Sequence, residues 1–237
     1  MGTKNAQGLP VVYLHGLATS CEEDMKGSAF KAMRDESPYK NPVYCIEYGF
    51  MVNSVLRSMT YLTQKACKEF ERHESKYNLK NGFILYGSSQ GAMISRYIIE
   101  ECSVGQYVKG FISSGGPHMG VVRLPFTEYK NYQKLINDLT DDVAYTYDMQ
   151  HAIAPAGYFR SLRFPELYMD DCIFLPYINN EKNFNQQYKN RMAGLKFLLA
   201  IKYLKDEVVI PKESAHFGYF ADKTETTIVN MEDTVQY

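Results

Sequence analysis

Apolar and polar positions along this chain fall into two rhythms. Short apolar runs closed by turn residues read as buried strands: residues 9–14, which end in His15-Gly16, then 41–48, 82–86 and 107–114, the last ending in Gly115-Gly116. Between them runs the longer rhythm of a helix with one apolar face, over residues 28–34, 52–75 and 90–101. Strands alternating with helices predict a mostly parallel sheet covered by helices on both faces.

From residue 121 to about 180 the rhythm breaks into short helical stretches, with Pro155, Pro165 and many aromatic rings. Such an insertion is expected over the carboxyl ends of the strands, where an open α/β sheet binds its ligand. Helical periodicity returns over 189–201, and Glu207-Val208-Val209-Ile210-Pro211 reads as a further strand. The chain has no internal repeat and no low-complexity linker. Residues 1–237 are therefore expected to form one domain, interrupted at about 121–180.

Composition narrows the classes of function. A chain of 237 residues with 45% hydrophobic content can bury a sizeable core. Its net charge of -1 and scattered lysines lack the footprint of a nucleic-acid binder. The 20 Tyr and 13 Phe suit a generous core or an apolar pocket. No apolar segment is long enough to cross a bilayer, and Met1-Gly2-Thr3-Lys4-Asn5-Ala6-Gln7-Gly8 lacks the apolar stretch of a signal peptide, so the chain reads as cytoplasmic or as trimmed. Met1-Gly2 does not open a myristoylation motif, because Ala6 stands where Ser or Thr is required. Cys21, Cys45, Cys67, Cys102 and Cys172 contain no C-x-x-C pair, and neither a metal nor a cofactor is expected.

The most informative chemistry lies in Gly87-Ser88-Ser89-Gln90-Gly91, between the strand Gly82-Phe83-Ile84-Leu85-Tyr86 and the helical run that follows. In a G-x-S-x-G elbow the serine occupies a strained strand-to-helix turn that lifts its hydroxyl out of the sheet. Ser89 is the candidate nucleophile, the alternative being an ordinary Gly/Ser-rich turn.

The ordered series Leu14-His15-Gly16-Leu17, Ser20-Cys21, Gly87-Ser88-Ser89-Gln90-Gly91, Ser114-Gly115-Gly116-Pro117-His118-Met119-Gly120-Val121 and Ile173-Phe174-Leu175-Pro176-Tyr177-Ile178-Asn179-Asn180-Glu181 resembles the palmitoyl-protein thioesterases, lysosomal α/β-hydrolases. The resemblance runs from about residue 9 to Tyr237 and takes in a helix over 185–204 and Ser214-Ala215-His216-Phe217-Gly218-Tyr219-Phe220. It implies an α/β-hydrolase fold with a helical insertion after the sixth strand, and it implies that the C-terminal strand and helix of the family are missing. The implied reaction is cleavage of a thioester between a long-chain fatty acid and a protein cysteine. S-acylated proteins or fatty acyl thioesters would be the partners, in a lysosomal or secreted setting.

The same resemblance assigns roles. Ser89 would attack, and the backbone N–H groups of Leu17 and Gln90 would form the oxyanion hole. Gly16 would allow close approach of the backbone. His15 would orient the loop, or simply be a buried histidine capping a strand. Cys67 and Cys102 match a disulfide of the family, or are two buried thiols; a second family pair, expected just after Leu124-Pro125, is missing.

The triad departs from the family pattern. Ile210 stands at the acid, and the histidine position lies beyond Tyr237. Impaired catalysis is therefore expected. His118 is the one histidine placed after a central strand, as a substitute base or as packing; Asp206 and Glu213 flank Ile210 but are misplaced for the acid. Leu17, Gln90, Met93 and Met119 are expected to line an apolar substrate groove with His15 and Gly16. Three readings stand: an impaired thioesterase, an inactive acyl-binding homologue, and another serine esterase or lipase.

Overall fold

A computed structural model describes residues 8–123 and 142–234. The N-terminal Met1-Gly2 segment, the stretch 124–141 of the expected insertion with its Leu124-Pro125, and residues 235–237 lie outside the described residues.

Five strands, β1 (Val11–Leu14), β2 (Val43–Cys45), β3 (Phe83–Ser88), β4 (Val108–Ser114) and β5 (Phe197–Ile201), form a sheet in the order β2-β1-β3-β4-β5, and every neighbouring pair is parallel. The order changes direction at β1, so the ends of β1 and β3 flank a topological switch point. Two short strands, β6 (Tyr219–Phe220) and β7 (Ile228–Val229), pair antiparallel apart from this sheet.

Helices α1 (Cys21–Asp24) and α2 (Ser28–Asp35) lie between β1 and β2, α3 (Met59–His73) between β2 and β3, and α4 (Gln90–Glu100) between β3 and β4. In α3 the buried positions Met59, Leu62, Thr63, Ala66 and Phe70 follow a helical stripe. Helix α4 is buried over almost its whole length. The core they share includes Leu62, Phe70, Phe83, Leu85, Ile94, Ile98 and Phe111, with the Phe70 and Phe83 rings 5.8 Å apart. Burying each such ring contributes on the order of 2–3 kcal/mol.

Three elements differ from the sequence reading. The helix expected from residue 52 starts at Met59, because the Ser58 hydroxyl accepts the Tyr61 N–H and sets the cap there; Met51–Ser54 is a separate 3-10 turn. The helix expected over 189–201 ends at Ala193, capped by Gly194, and Phe197–Ile201 is strand β5. The five-residue apolar run pairs with β4 from Gly110↔Phe197 to Ser114↔Ile201, and Gly110 leaves room for the Phe197 ring. The strand expected at Glu207-Val208-Val209-Ile210-Pro211 is absent. There Asp206 Oδ1 accepts the N–H groups of Val208 and Val209, both at 2.9 Å, and turns the backbone. The irregular insertion follows β4, the fourth strand along this chain rather than the sixth.

Two disulfides brace the frame. Cys67 on α3 joins Cys102 just beyond α4, with Cα atoms 5.7 Å apart, as the resemblance implied. Cys21 joins Cys45 at the end of β2, with Cα atoms 5.8 Å apart, a pairing the sequence reading did not assign. The Cys67–Cys102 link closes a loop with a sequence separation of 35. Replacing both cysteines by alanine is expected to lower the unfolding free energy by about 2–4 kcal/mol, measured by denaturant titration.

Candidate active site

Ser89 stands between β3 and α4 with φ 50° and ψ −121°, a region that L-residues rarely occupy. The turn is that tight because the neighbouring glycines permit it. A Cβ on Gly87 would meet Ala92 Cα at 2.4 Å, and one on Gly91 would meet the carbonyl oxygens of His15 and Leu14 at 2.3 Å. The Ser89 N–H donates to Ser114 O at 2.8 Å, tying the elbow to the end of β4. Gln90 is the first residue of α4, where a backbone N–H has no acceptor within the helix.

The loop after β1 lies against this elbow. A Cβ built on Gly16 would stand 3.6 Å from Ser89 Cβ, which brings His15-Gly16-Leu17 beside the serine. His15 is fully buried; its Nδ1 lies 2.8 Å from Gly16 O and its Nε2 2.7 Å from Glu47 Oε1. The Tyr48 ring stacks on His15 at 4.2 Å, and its hydroxyl donates to His15 O at 2.8 Å. Glu47 also accepts the N–H of Cys21 at 2.9 Å and of Gly49 at 3.1 Å. Burial alone pushes the Glu47 carboxyl up, yet His15 and these two N–H groups together hold it below the usual carboxylate range.

The insertion reaches the same place. Tyr158 Oη donates to Gln90 Oε1 at 3.1 Å, while Gln90 Nε2 donates to Ser54 O at 2.9 Å. The Gln90 side chain is thereby fixed inside the protein, with its backbone at the elbow. Sequence reasoning missed Glu47 and Tyr48. The sequence puts both at the end of the expected strand 41–48, at the carboxyl edge of a parallel sheet, and β2 itself ends at Cys45.

Other expected residues lie elsewhere. Met93, expected in the apolar groove, is fully buried in the core cluster. His118, expected as a substitute base or as packing, has its Nε2 2.7 Å from Ser113 Oγ and stacks on Phe217 at 4.3 Å. Burial, aided by the Arg96 charge, holds it well below the usual histidine range and keeps it neutral. Its bonded partner is thus Ser113, not Ser89. Ile210 offers its backbone O to Val122 N–H at 2.8 Å and has no side-chain group to orient an imidazole. Asp206 caps its own loop, and Glu213 lies 3.6 Å from Lys202.

Met119 lines a cavity of about 300 Å³ between α4, the helix Gln186–Ala193, β5 and Phe217. Arg96 forms one edge of it. Its guanidinium donates to Glu100 Oε1 at 2.7 Å, Asn179 Oδ1 at 2.7 Å and Ile178 O at 2.5 Å. Glu100 Oε2 has no partner among the described residues. Burial outweighs the Arg96 charge and pushes the Glu100 carboxyl up to about 7.

A serine held at positive φ between a central parallel strand and a buried helix, with a glycine loop beside it, is the arrangement of an α/β-hydrolase. A family model described as palmitoyl protein thioesterase matches residues 10–237. Palmitoyl-protein thioesterase 1 of Caenorhabditis elegans is 32% identical over 240 residues, covering 97% of this chain and 78% of that protein. Palmitoyl-protein thioesterase 3 of Dictyostelium discoideum is 30% identical over 230 residues, covering 96% and 76%. The lysosomal thioesterase PPT2 homolog of Drosophila melanogaster is 27% identical over 215 residues, covering 89% and 71%. The chain belongs to the palmitoyl protein thioesterase family.

The raised Glu100 carboxyl has a consequence for stability. The folded state binds this proton more tightly than the unfolded chain, so the contribution is fully present below the ordinary value of 4.5 and is lost as pH rises through about 7. Denaturation across that window is expected to show a decline on the order of 1–3 kcal/mol, which Glu100→Gln removes.

Proposed function

We propose that the chain is a serine hydrolase acting on long-chain fatty acyl thioesters of protein cysteines, with Ser89 as nucleophile. The observation that carries this reading is the strained Ser89 elbow with Gly16 packed against it. Names shared by the relatives supply the substrate class. Ser89 Oγ attacks the thioester carbonyl, its proton passing to a base, and the carbonyl electrons move to the oxygen. The N–H groups of Leu17 and Gln90 receive that oxyanion. Collapse expels the cysteine thiolate and leaves an acyl-serine, which water then hydrolyses to the fatty acid and free Ser89.

Turnover in this reading is attenuated. Ile210 replaces the acid, and each of the five histidine rings is bonded to a group other than Ser89: His15 to Gly16 and Glu47, His73 to Glu69, His118 to Ser113, His151 to Tyr147 and His216 to Ala200. Breaking a triad costs about 10⁴ to 10⁶ in rate, the remainder coming from the oxyanion hole and binding. The same observation favours a second reading, an acyl-binding protein without turnover. A lysosomal or other oxidising setting is supported by the two disulfides and by the lysosomal names of relatives.

Hydrolysis of palmitoyl thioester, followed by release of free thiol, is expected to be slow in this chain and to vanish in Ser89→Ala. Octanoyl thioester is expected to bind at least 100-fold more weakly than palmitoyl, because each buried CH₂ contributes about 0.8 kcal/mol. Equal binding of the two would remove the case for an acyl groove, and equal rates with and without Ser89 would remove the case for a serine hydrolase.

A further inference from the structure

Each ring nitrogen of His15 faces an oxygen, and together these contacts determine its charge. Gly16 O, 2.8 Å from Nδ1, is a carbonyl that can only accept, so Nδ1 carries a proton. Glu47 Oε1, 2.7 Å from Nε2, belongs to a carboxylate that also takes the N–H of Cys21 on Oε2 and of Gly49 on Oε1. Two backbone N–H groups converging on one carboxyl favour its ionised form, and an ionised oxygen can only accept, so Nε2 carries a proton as well. The face of the ring lies on Tyr48, with an interplanar angle of 10°, as a cation over an aromatic face would.

We infer that His15 is held as a buried imidazolium by Glu47, and that Glu47 is a positioning residue which acts through His15 on the oxyanion loop. The inference rests on the reading of Ser89 as nucleophile for its catalytic half, and on hydrogen-bond geometry alone for the charge on the ring. The imidazolium holds Gly16 O through Nδ1, and the Tyr48 hydroxyl donates to His15 O and Gly16 O, at 2.8 and 3.2 Å. Both carbonyls of the loop are thereby turned toward the interior. Peptide planarity then directs the N–H groups that follow them the opposite way, the Leu17 N–H among them. Cys21–Cys45 ties the two ends of this clamp covalently, since Cys45 ends β2 two residues before Glu47 and Cys21 N–H binds its carboxylate.

Removing the carboxylate charge would leave the imidazolium unpaired and buried, so the ring would shed a proton and loosen one of its two bonds. Nitrogen-15 spectra of the His15 ring at about pH 7 are expected to show two protonated nitrogens in the wild-type chain and a neutral ring in Glu47→Gln. Labelling of Ser89 by a fluorophosphonate, which also develops an oxyanion, is expected to slow about 10- to 100-fold in Glu47→Gln, with palmitoyl thioester kcat falling more than KM changes. Glu47→Asp is expected to keep the charged ring and recover part of the rate; should Glu47→Gln fail to fold, a charged ring with slowed labelling in Glu47→Asp supports the inference. A neutral His15 ring in the wild-type chain would overturn it, as would unchanged labelling in a folded variant with a neutral ring. A wild-type chain that does not label at Ser89 at all would overturn the functional reading and the catalytic half of this one, while the ring spectrum still decides the charge.

Discussion

The backbone at Ser89 holds a conformation that costs an L-residue on the order of 1–3 kcal/mol, and the surrounding structure is arranged to keep it there. Strand β3 arrives between β1 and β4, and α4 leaves so close to β1 that Gly91 has no space for a side chain under the Leu14 and His15 carbonyls. The Ser89 N–H is anchored on Ser114, across the sheet from that contact. A turn fixed on both sides can hold a hydroxyl at one point. The same packing explains why the His15-Gly16-Leu17 loop lies beside it: close approach of α4 to the end of β1 carries that loop to the elbow.

Around this turn the carboxyl ends of β1 and β2 are joined by bonds of different kinds. Cys21–Cys45 links them covalently, Glu47 bridges His15 to the start of α1, and Tyr48 closes over the loop carbonyls. On the other flank Cys67–Cys102 fastens α3 to the segment after α4. Arg96 adds a polar anchor, its guanidinium joining α4 to Glu100, Asn179 and the Ile178 carbonyl with little exposure to water. A buried charge is tolerable only with such a full set of partners. Glu100 meets that demand incompletely, since one of its oxygens has no partner among the described residues, and burial raises its proton affinity.

The two sides of the sheet order are unlike. Strand β5 is exposed at Phe197, Leu198 and Leu199, each above 40%, although parallel strands are ordinarily covered on both faces. Its neighbour β4 is largely buried. The cavity bounded by Leu198, Met119 and Phe217 opens beside this strand and away from the elbow contacts.

The residue order alone determined much of this frame. Apolar runs closed by glycine marked β1, β3 and β4, and Gly87-Ser88-Ser89-Gln90-Gly91 identified the elbow, because strand period and turn chemistry are local properties. The resemblance correctly paired Cys67 with Cys102. Strand β5 was misread as helix, since a five-residue apolar run carries no period that separates the two states, and only its pairing with β4 decides. Met93 shows the same limit at the level of a side chain: its place in the first turns of α4 was legible, but whether it faced a groove or the core depended on what packed against it. Cys21–Cys45 and the Glu47 bridge to His15 span separations that no local pattern encodes. His118 and Ser113 are five residues apart in the chain, yet the turn through Gly115 and Gly116 sets their contact. Tertiary structure settled those partners because hydrogen bonds and burial depend on distance in space, while the sequence by itself settled the turn at Ser89, where the steric freedom of two glycines is a property of the residues themselves.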